Sequence, residues 1–274
     1  MDTTNKISAL KAYLKELAQK DVAVAFSGGV DSSLLLHLCC EASQKTGKKV
    51  YAITLQTDLH PHGDVGIARQ VAKEAGAEHI VLYIDELEEA GIRMNPVDRC
   101  YRCKLSLFKK LLEKTQLLGV SHVMEGTNAD DLLVYRPGIR AIQELAILSP
   151  FAQMGISKKE IRQLAADYGV SVATRPSTPC MATRFPYGTK LDYETMHKVD
   201  EAEQWLRSQG FYNVRLRIHG DVTRIEVDDA KMESLLLKRE TVIAALKSRG
   251  FDYITLDLEG FRSGSMDIHI NKER

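Results

Sequence analysis

The stretch Val22-Ala-Val-Ala-Phe26 runs without interruption into Ser27-Gly-Gly-Val-Asp-Ser-Ser33 and then into Leu34-Leu-Leu-His-Leu38. A short Val-rich run reads as a buried strand, the Ser/Gly/Asp cluster as a tight turn, and the leucines as a buried helix. At such a junction the first N–H groups of the helix lack partners and the helix dipole favours negative charge, so the turn is suited to phosphate. Gly28 and Gly29 have no Cβ, which lets the backbone fold into a nest within hydrogen-bond reach of an anion. Ser27, Ser32 and Ser33 add hydroxyls, and Asp31 is a candidate ligand for a Mg²⁺ ion that a bound pyrophosphate would bring.

Two common phosphate motifs are excluded, since the turn is neither Gly-x-x-x-x-Gly-Lys-Ser/Thr nor Gly-x-Gly-x-x-Gly. What remains resembles the PP-loop of ATP pyrophosphatases, enzymes that break ATP between the α and β phosphates and place AMP on a substrate. The plainer alternative is a serine-capped helix after a glycine turn.

The chain has 274 residues, 44% hydrophobic and 27% charged, enough for a sizeable core and two domains. Lys plus Arg and Asp plus Glu each number 37, a neutral balance that argues against a dedicated nucleic-acid binder. Apolar stretches fall short of membrane-spanning length. Residues 1–20 read as an amphipathic helix with Leu10, Leu14 and Leu17 on one side, and without the order of a signal peptide, so a cytoplasmic location is expected.

Residues 50–57, 78–84 and 120–124 read as further strands, with helices over 67–75 and 104–118 between them. This alternation predicts an α/β domain with a parallel sheet in the Rossmann-like manner, helices on both faces and ligands at the carboxyl ends of the strands. Glu125-Gly-Thr-Asn-Ala-Asp-Asp131 follows the fourth strand and so shares that edge with the glycine turn; Thr127, Asn128 and Asp130 are candidate nucleotide contacts, and an Asx turn with a helix cap is the alternative. Ser157-Lys-Lys-Glu160 is a capping box opening a helix to Tyr168. Residues 174–188 form a long aperiodic loop. Beyond it come a helix over 193–209, strands over 214–218 and 222–227 joined at Gly220-Asp221, a helix over 232–249 and a strand over 253–258. The expected division is therefore an adenylating domain over 1–185 and a smaller C-terminal α+β domain over 186–274, the latter for substrate binding or oligomerisation.

Five cysteines in a reducing compartment call for an explanation other than disulfides. Cys39 and Cys40 sit among leucines and read as small core groups. Cys100-Tyr-Arg-Cys103 precedes a helix and has Arg99, Arg102 and Lys104 about it, which should lower the thiol pKa and favour metal binding or nucleophilic attack, although redox and zinc pairs share the spacing. Cys180 lies in the long loop. Three cysteines are too few for a closed zinc site unless water, His60 or His62 completes it, but they suit a [4Fe–4S] cluster whose fourth iron carries an exchangeable ligand such as sulfide. The two histidines read more simply as surface residues.

The PP-loop, Asp98-Arg-Cys-Tyr-Arg-Cys-Lys104, Glu125-Gly-Thr-Asn-Ala-Asp-Asp131, Arg136-Pro-Gly-Ile-Arg140, Ser149-Pro150, Pro176-Ser-Thr-Pro-Cys-Met-Ala-Thr-Arg184, Pro186-Tyr-Gly188 and Val214-Arg-Leu-Arg-Ile-His-Gly220 occur in one order. Together they resemble the LarE family, ATP-dependent sulfur transferases of nickel-pincer nucleotide cofactor synthesis, over nearly the whole chain. The resemblance implies that ATP adenylates a carboxylate of pyridinium-3,5-biscarboxylic acid mononucleotide and that sulfur then replaces the activated oxygen. The family has two sulfur routes: a sacrificial cysteine at the position of Cys180, or a [4Fe–4S] cluster on three cysteines. Cysteine at 100, 103 and 180 favours the cluster, fed by inorganic sulfide or a sulfur donor protein. The family places substrate phosphate on the strand of Arg215 and Arg217, whose alternation puts both on one face. Arg184 is expected beside the carboxylate or AMP, with Glu203 and Glu226 as further site residues and a homotrimer or homohexamer as the assembly. A PP-loop tRNA thiolase is the rival reading, and it would need a basic groove and stacking aromatics.

Overall fold

Val22 and Val24 lie on one side of the strand β1 (Val22–Ala25) and Ala23 on the other, and this alternation divides a core into two layers. The computed structural model describes residues 2–60, 63–134, 136–175, 179–262 and 264–266. It divides into two compact units, Met1–Gly91 with Asp98–Thr178, and Ile92–Val97 with Pro179–Arg274.

In the first unit α1 (Thr3–Leu17) precedes β1, which leads into α2 (Val30–Ser43), β2 (Val50–Gln56), α3 (Asp64–Ala75) and β3 (Glu78–Tyr83). A short α4 (Glu86–Glu89) and the long α5 (Arg99–Leu117) lead to β4 (His122–Met124), and α6 (Pro137–Glu144), α7 (Pro150–Gln153) and α8 (Lys158–Asp167) complete it. All strand pairs are parallel, in the order β3-β2-β1-β4, and Leu148 bridges Met124 beyond β4. The α/β class expected from the alternation of elements is the one observed. Val22, Val24, Val50, Ala52 and Met124 pack with α1, α2, α3 and α8, whereas Ala23, Tyr51, Ile53 and Val123 pack with α5 and α6.

Because β1 is central, the chain leaves it one way toward β2 and β3 and returns on its other side at β4. The carboxyl ends of β1 and β4 are therefore a topological switch point, where loops diverge and a crevice opens. The loop after β1 and the loop after β4 meet there. A Cβ at Gly126 would lie 2.9 Å from the Ser32 nitrogen and 3.0 Å from the Asp31 Cβ, so only glycine permits the approach. Gly28 has φ +72° and abuts Ala68 of α3, which fixes the entry to α2.

Several boundaries differ from expectation for local reasons. Helix α5 begins at Arg99, so Cys100 and Cys103 lie within its first turns rather than ahead of it. Cys39 and Cys40 are core groups of α2, as read, and burial pushes both thiols up, Cys40 to about 11. The capping box of α8 is present, and Glu160 also receives Thr3 and Lys6, tying α1 to α8. The Ser157 N–H, then its hydroxyl, Thr3 and Lys6, outweigh desolvation and hold the Glu160 carboxyl down to about 2.

In the second unit α9 (Tyr193–Ser208) leads to β5 (Arg215–His219) and β6 (Val222–Glu226), an antiparallel hairpin. Then α10 (Met232–Leu237) and α11 (Arg239–Lys247) lead to β7 (Tyr253–Leu256), parallel to β6. The single helix expected over 232–249 is broken at Lys238, whose ammonium donates to the Gln209 carbonyl at 3.1 Å. Residues 179–185 belong to this unit rather than to the first, because Arg184 and Thr183 are bonded into it. Ile92–Val97 joins it too: Asn95 Nδ2 donates to the carbonyls of Phe185 and Pro186 at 3.1 and 2.8 Å. Among the described residues no helix is long and apolar enough to cross a membrane.

Gly126→Ala is expected to separate the two loops at a cost of about 1–3 kcal/mol, read as a lowered urea midpoint with the far-UV spectrum retained. Glu160 is depressed in the folded state, so its contribution is full above the ordinary carboxylate range and is lost as pH falls from about 4.3 toward 2. Glu160→Gln is expected to flatten the acid limb of the stability profile over that window; an unchanged limb would contradict the assignment.

Candidate active site

The strand-to-helix turn after β1 is braced by its own serines. The Ser27 and Ser32 hydroxyls lie 3.2 Å apart, the Ser27 N–H donates to Ser32 Oγ at 3.3 Å, and the Gly29 N–H donates to Ser27 Oγ at 3.3 Å. Ser32 Oγ donates to the Gly29 carbonyl at 3.2 Å. These bonds hold the turn open as a nest, leaving the first turn of α2 directed at the crevice. Ser33 is fully buried and its hydroxyl has no hydrogen-bond partner among the described residues, so it is core-facing rather than solvent-facing.

A cavity of about 310 Å³ lies in front of this turn. Ser27, Gly29 and Asp31 line it from the turn and the start of α2, Thr54, Leu55 and Gln56 from the end of β2, Lys158 from α8 and Arg175 from the segment after it. Arg162, His60 and Asp64 are there as well. Three cations and two carboxylates thus line one cavity, a charge pattern that suits a polyanion carrying a metal ion. Arg175 Nη2 donates to Asp64 at 2.6 Å and its Nη1 to the Gly28 carbonyl at 3.5 Å. Lys158 donates to Asp31 Oδ2, and Asn128 Nδ2 donates to Asp31 Oδ1 at 3.3 Å.

The loop after β4 braces this wall more than it lines it. Glu125 is buried and accepts from the Thr127 N–H at 3.0 Å, the Thr127 hydroxyl at 2.7 Å and Ser149 Oγ at 2.5 Å. Asn128 Oδ1 accepts the N–H groups of Asp130 and Asp131, which is the Asx turn weighed against a nucleotide contact. Asp130 accepts the Lys158 N–H at 2.8 Å. Of the residues expected to contact nucleotide, Ser27, Gly29 and Asp31 line the cavity; Thr127, Asn128 and Asp130 stand behind them.

Lys158, Arg162 and Arg175 carry no motif and sequence reasoning passed over them. One signal was present: two lysines open α8, where the helix dipole disfavours positive charge, so something other than helix stability accounts for them. His60 lines the cavity and lies 3.2 Å from Thr57 Oγ1, a correction to its reading as a plain surface residue. His62 and Pro176–Thr178 lie outside the described residues.

Cys100 and Cys103 occupy one face of α5, three residues apart, in the first unit; Cys180 belongs to the second. Cys100 is exposed, and Cys103 Sγ donates to the buried Glu86 carboxylate. Among the described residues no group of three His, Cys, Asp or Glu side chains is placed to hold a metal ion.

In the second unit Cys180 precedes a single 3₁₀ turn, Met181–Arg184. Arg184 was expected beside a carboxylate or AMP. It is 0% exposed, and its Nε and Nη2 form a bidentate pair with Glu203 at 2.9 and 2.8 Å. Its Nη1 donates to Thr183 Oγ1 at 2.9 Å and to the carbonyls of Pro179 and Cys180 at 3.4 Å. Every guanidinium nitrogen is engaged, so Arg184 is a positioning residue for the Cys180 turn. Burial pushes the Glu203 carboxyl up, but Arg184, the Leu216 N–H and Arg215 outweigh it and hold the carboxyl below its ordinary value.

Arg217 is likewise spent, on Glu226 at 3.0 and 2.9 Å and on the Thr183 carbonyl at 2.8 Å. Glu226 also accepts from Arg224 and Ser265. Arg215 differs. Its Nη1 donates to the Val214 carbonyl at 2.7 Å and its guanidinium stacks 5.2 Å from the Phe261 ring centre, while no carboxylate pairs with it among the described residues. Desolvation and the neighbouring Arg184 push it down to about 10, with Glu203 acting the other way, so it is still protonated at neutral pH.

Comparison with known proteins bears on both units. Residues 2–133 match a family of PP-loop domains. Over 97% of its length the chain is 34% identical to the pyridinium-3,5-bisthiocarboxylic acid mononucleotide synthase of Lactiplantibacillus plantarum, covering 95% of that protein. It is 33% identical over 98% of its length to an uncharacterized protein of Synechocystis, covering 99% of it. Similarity to the tRNA-specific 2-thiouridylase of Rickettsia bellii is 27% identity over 58% of this chain and 53% of that protein.

Removing one member of the buried Arg184–Glu203 pair strands the other. Arg184→Met is expected to cost about 3–5 kcal/mol, and Arg184→Met with Glu203→Leu clearly less than the sum, as read by chemical denaturation; additive losses would contradict the pairing.

Proposed function

We propose, because this chain belongs to the LarE family, that it uses ATP to exchange a carboxylate oxygen of pyridinium-3,5-biscarboxylic acid mononucleotide for sulfur. What carries this reading is the reach of the likeness. The synthase matches both units, whereas the thiouridylases match little more than half of the chain. The tRNA reading also lacks support in the neutral net charge.

In this reading the carboxylate oxygen attacks the α-phosphorus, the bond to the bridging oxygen of the β-phosphate breaks, and pyrophosphate leaves. The N–H groups of the Ser27–Ser33 turn receive the charge that builds on the leaving oxygens, in a nest formed before the substrate arrives. Asp31 would hold Mg²⁺, which lowers the charge of the departing group. A sulfur nucleophile then adds to the acyl carbon and AMP leaves. Arg215, half-buried and without a carboxylate partner among the described residues, suits the substrate phosphate, with Arg217 held in place by Glu226.

The donor chemistry fits an iron–sulfur group: three thiols, two of them a helical pair three residues apart, which is not what a single sacrificial cysteine requires. When bound on Cys100, Cys103 and Cys180, a [4Fe–4S] cluster would supply an exchangeable sulfide. Arg184 keeps the Cys180 turn rigid for that role. A cytoplasmic homotrimer or homohexamer, supplied by inorganic sulfide or a donor protein, belongs to the same proposal.

The expected outcome with Mg-ATP and the dicarboxylate nucleotide is one AMP and one pyrophosphate per thiocarboxylate formed, measured by ion-exchange chromatography and mass spectrometry. After anaerobic iron and sulfide loading, the Cys180 peptide should keep its mass through turnover. Loss of H₂S from that peptide would assign the sacrificial route instead, and thiolated tRNA in place of thiocarboxylate would overturn the substrate.

A further inference from the structure

We infer that β3, the uncovered edge of the sheet in the first unit, pairs with β3 of a second copy of this chain, antiparallel and centred on Val81. The inference is independent of the ATP reading and concerns a surface which that reading leaves unused.

The two edges of the sheet differ. Beyond β4, Leu148 bridges Met124 and its N–H donates to the Val123 carbonyl at 2.9 Å, so the chain itself closes that edge. At the other end of the order β3-β2-β1-β4, β3 forms its ladder with β2. The Ile84 N–H donates to the Gln56 carbonyl at 3.0 Å, and in a parallel ladder alternate residues turn both backbone groups to the same neighbour. Glu78, Ile80 and Leu82 therefore face β2, while His79, Val81 and Tyr83 direct their N–H and C=O groups away from it. Among the described residues nothing pairs with those outward groups.

An edge left open is ordinarily blunted by a lysine, a proline or a bulge. Residues 78–83 contain neither lysine nor proline, and their register with β2 is unbroken. Tyr83 is 76% exposed, a large ring at the end of this edge.

The pattern of the strand selects its occupant. In an antiparallel pair, opposite residues either both bond across the gap or both turn away from it, so outward residues meet outward residues. A two-fold axis at Val81 satisfies all of them: Val81 meets Val81 of the second copy, His79 meets Tyr83 and Ile80 meets Leu82. The exposed Tyr83 ring then covers an imidazole, a cross-strand pair of the stabilising kind. Like charges are kept apart, because Glu78 comes opposite Ile84 and is held by Lys49 at 3.1 Å on its own sheet. Equal numbers of acidic and basic residues leave no net repulsion between copies. The contact is isologous, closes on itself and requires an even number of copies.

The test reads both the association and its register in the full chain. Val81→Cys places two Cα atoms about 5.5 Å apart across the axis, within the span of about 4.4–6.8 Å that a disulfide bridges. Oxidised glutathione is expected to link this variant through residue 81, identified by mass spectrometry of the joined peptides, at least about tenfold faster than it links Leu82→Cys through residue 82. Tyr83→Lys changes only an exposed side chain, and is expected to raise the dissociation constant of the contact at least about tenfold in sedimentation equilibrium, with the far-UV spectrum unchanged. A wild type that sediments as a monomer or an odd-numbered assembly, a Tyr83→Lys variant that associates as tightly as the wild type, or equal linking through residues 81 and 82 would overturn the assignment.

Discussion

The contact of Gly126 with the first turn of α2 is the constraint on which the rest of the first unit depends. Parallel strands need crossovers, and with β1 central the crossovers run to opposite sides, so the loops after β1 and β4 emerge side by side. A side chain at 126 would hold them apart. Closed, the pair sets Asn128 against Asp31 and Asp130 against the N–H of Lys158, which joins α2 to α8 across the cavity. The nest, its carboxylate and its opposing lysine are thus consequences of sheet order and of one missing Cβ.

The second unit solves a different problem, that of keeping arginines in a small fold. Arg184 and Arg217 are each paired through two bonds, with Glu203 and Glu226, while Arg207 adds one bond to Glu203 and Arg224 pairs with Glu226 and Asp257. Burying charges in this way is costly unless each is paired and bonded. Against that background Arg215 stands apart, because among the described residues it forms no ion pair and rests instead on the Val214 carbonyl and the Phe261 ring. The network also fixes the turn after Cys180 through Arg184, so one set of ion pairs holds both that turn and the strand of Arg215 and Arg217.

The fold class, the glycine turn and the capping box were legible in the sequence because each depends on local chemistry: apolar period, missing Cβ atoms, a serine three residues before a glutamate. The boundary between the units was less so. Ile92–Val97 joins the second unit through Asn95 and the carbonyls of Phe185 and Pro186, a long-range bond with no local signature. Likewise Arg184 looked like a ligand-binding residue, since a motif shows which side chains are present and not which of them are already occupied by a buried partner. Lys158 and Arg175 were hidden because a cavity wall is assembled from segments far apart in the chain.

The central claim is that the turn after β1 holds the phosphates of ATP with the α–β bond presented for cleavage. A crystal structure of the protein with Mg²⁺ and α,β-methylene ATP tests it most directly. The account predicts the terminal phosphates within hydrogen-bond distance of N–H groups in the 27–33 turn, with the metal on Asp31. A nucleotide bound with its phosphates directed away from that turn would contradict it.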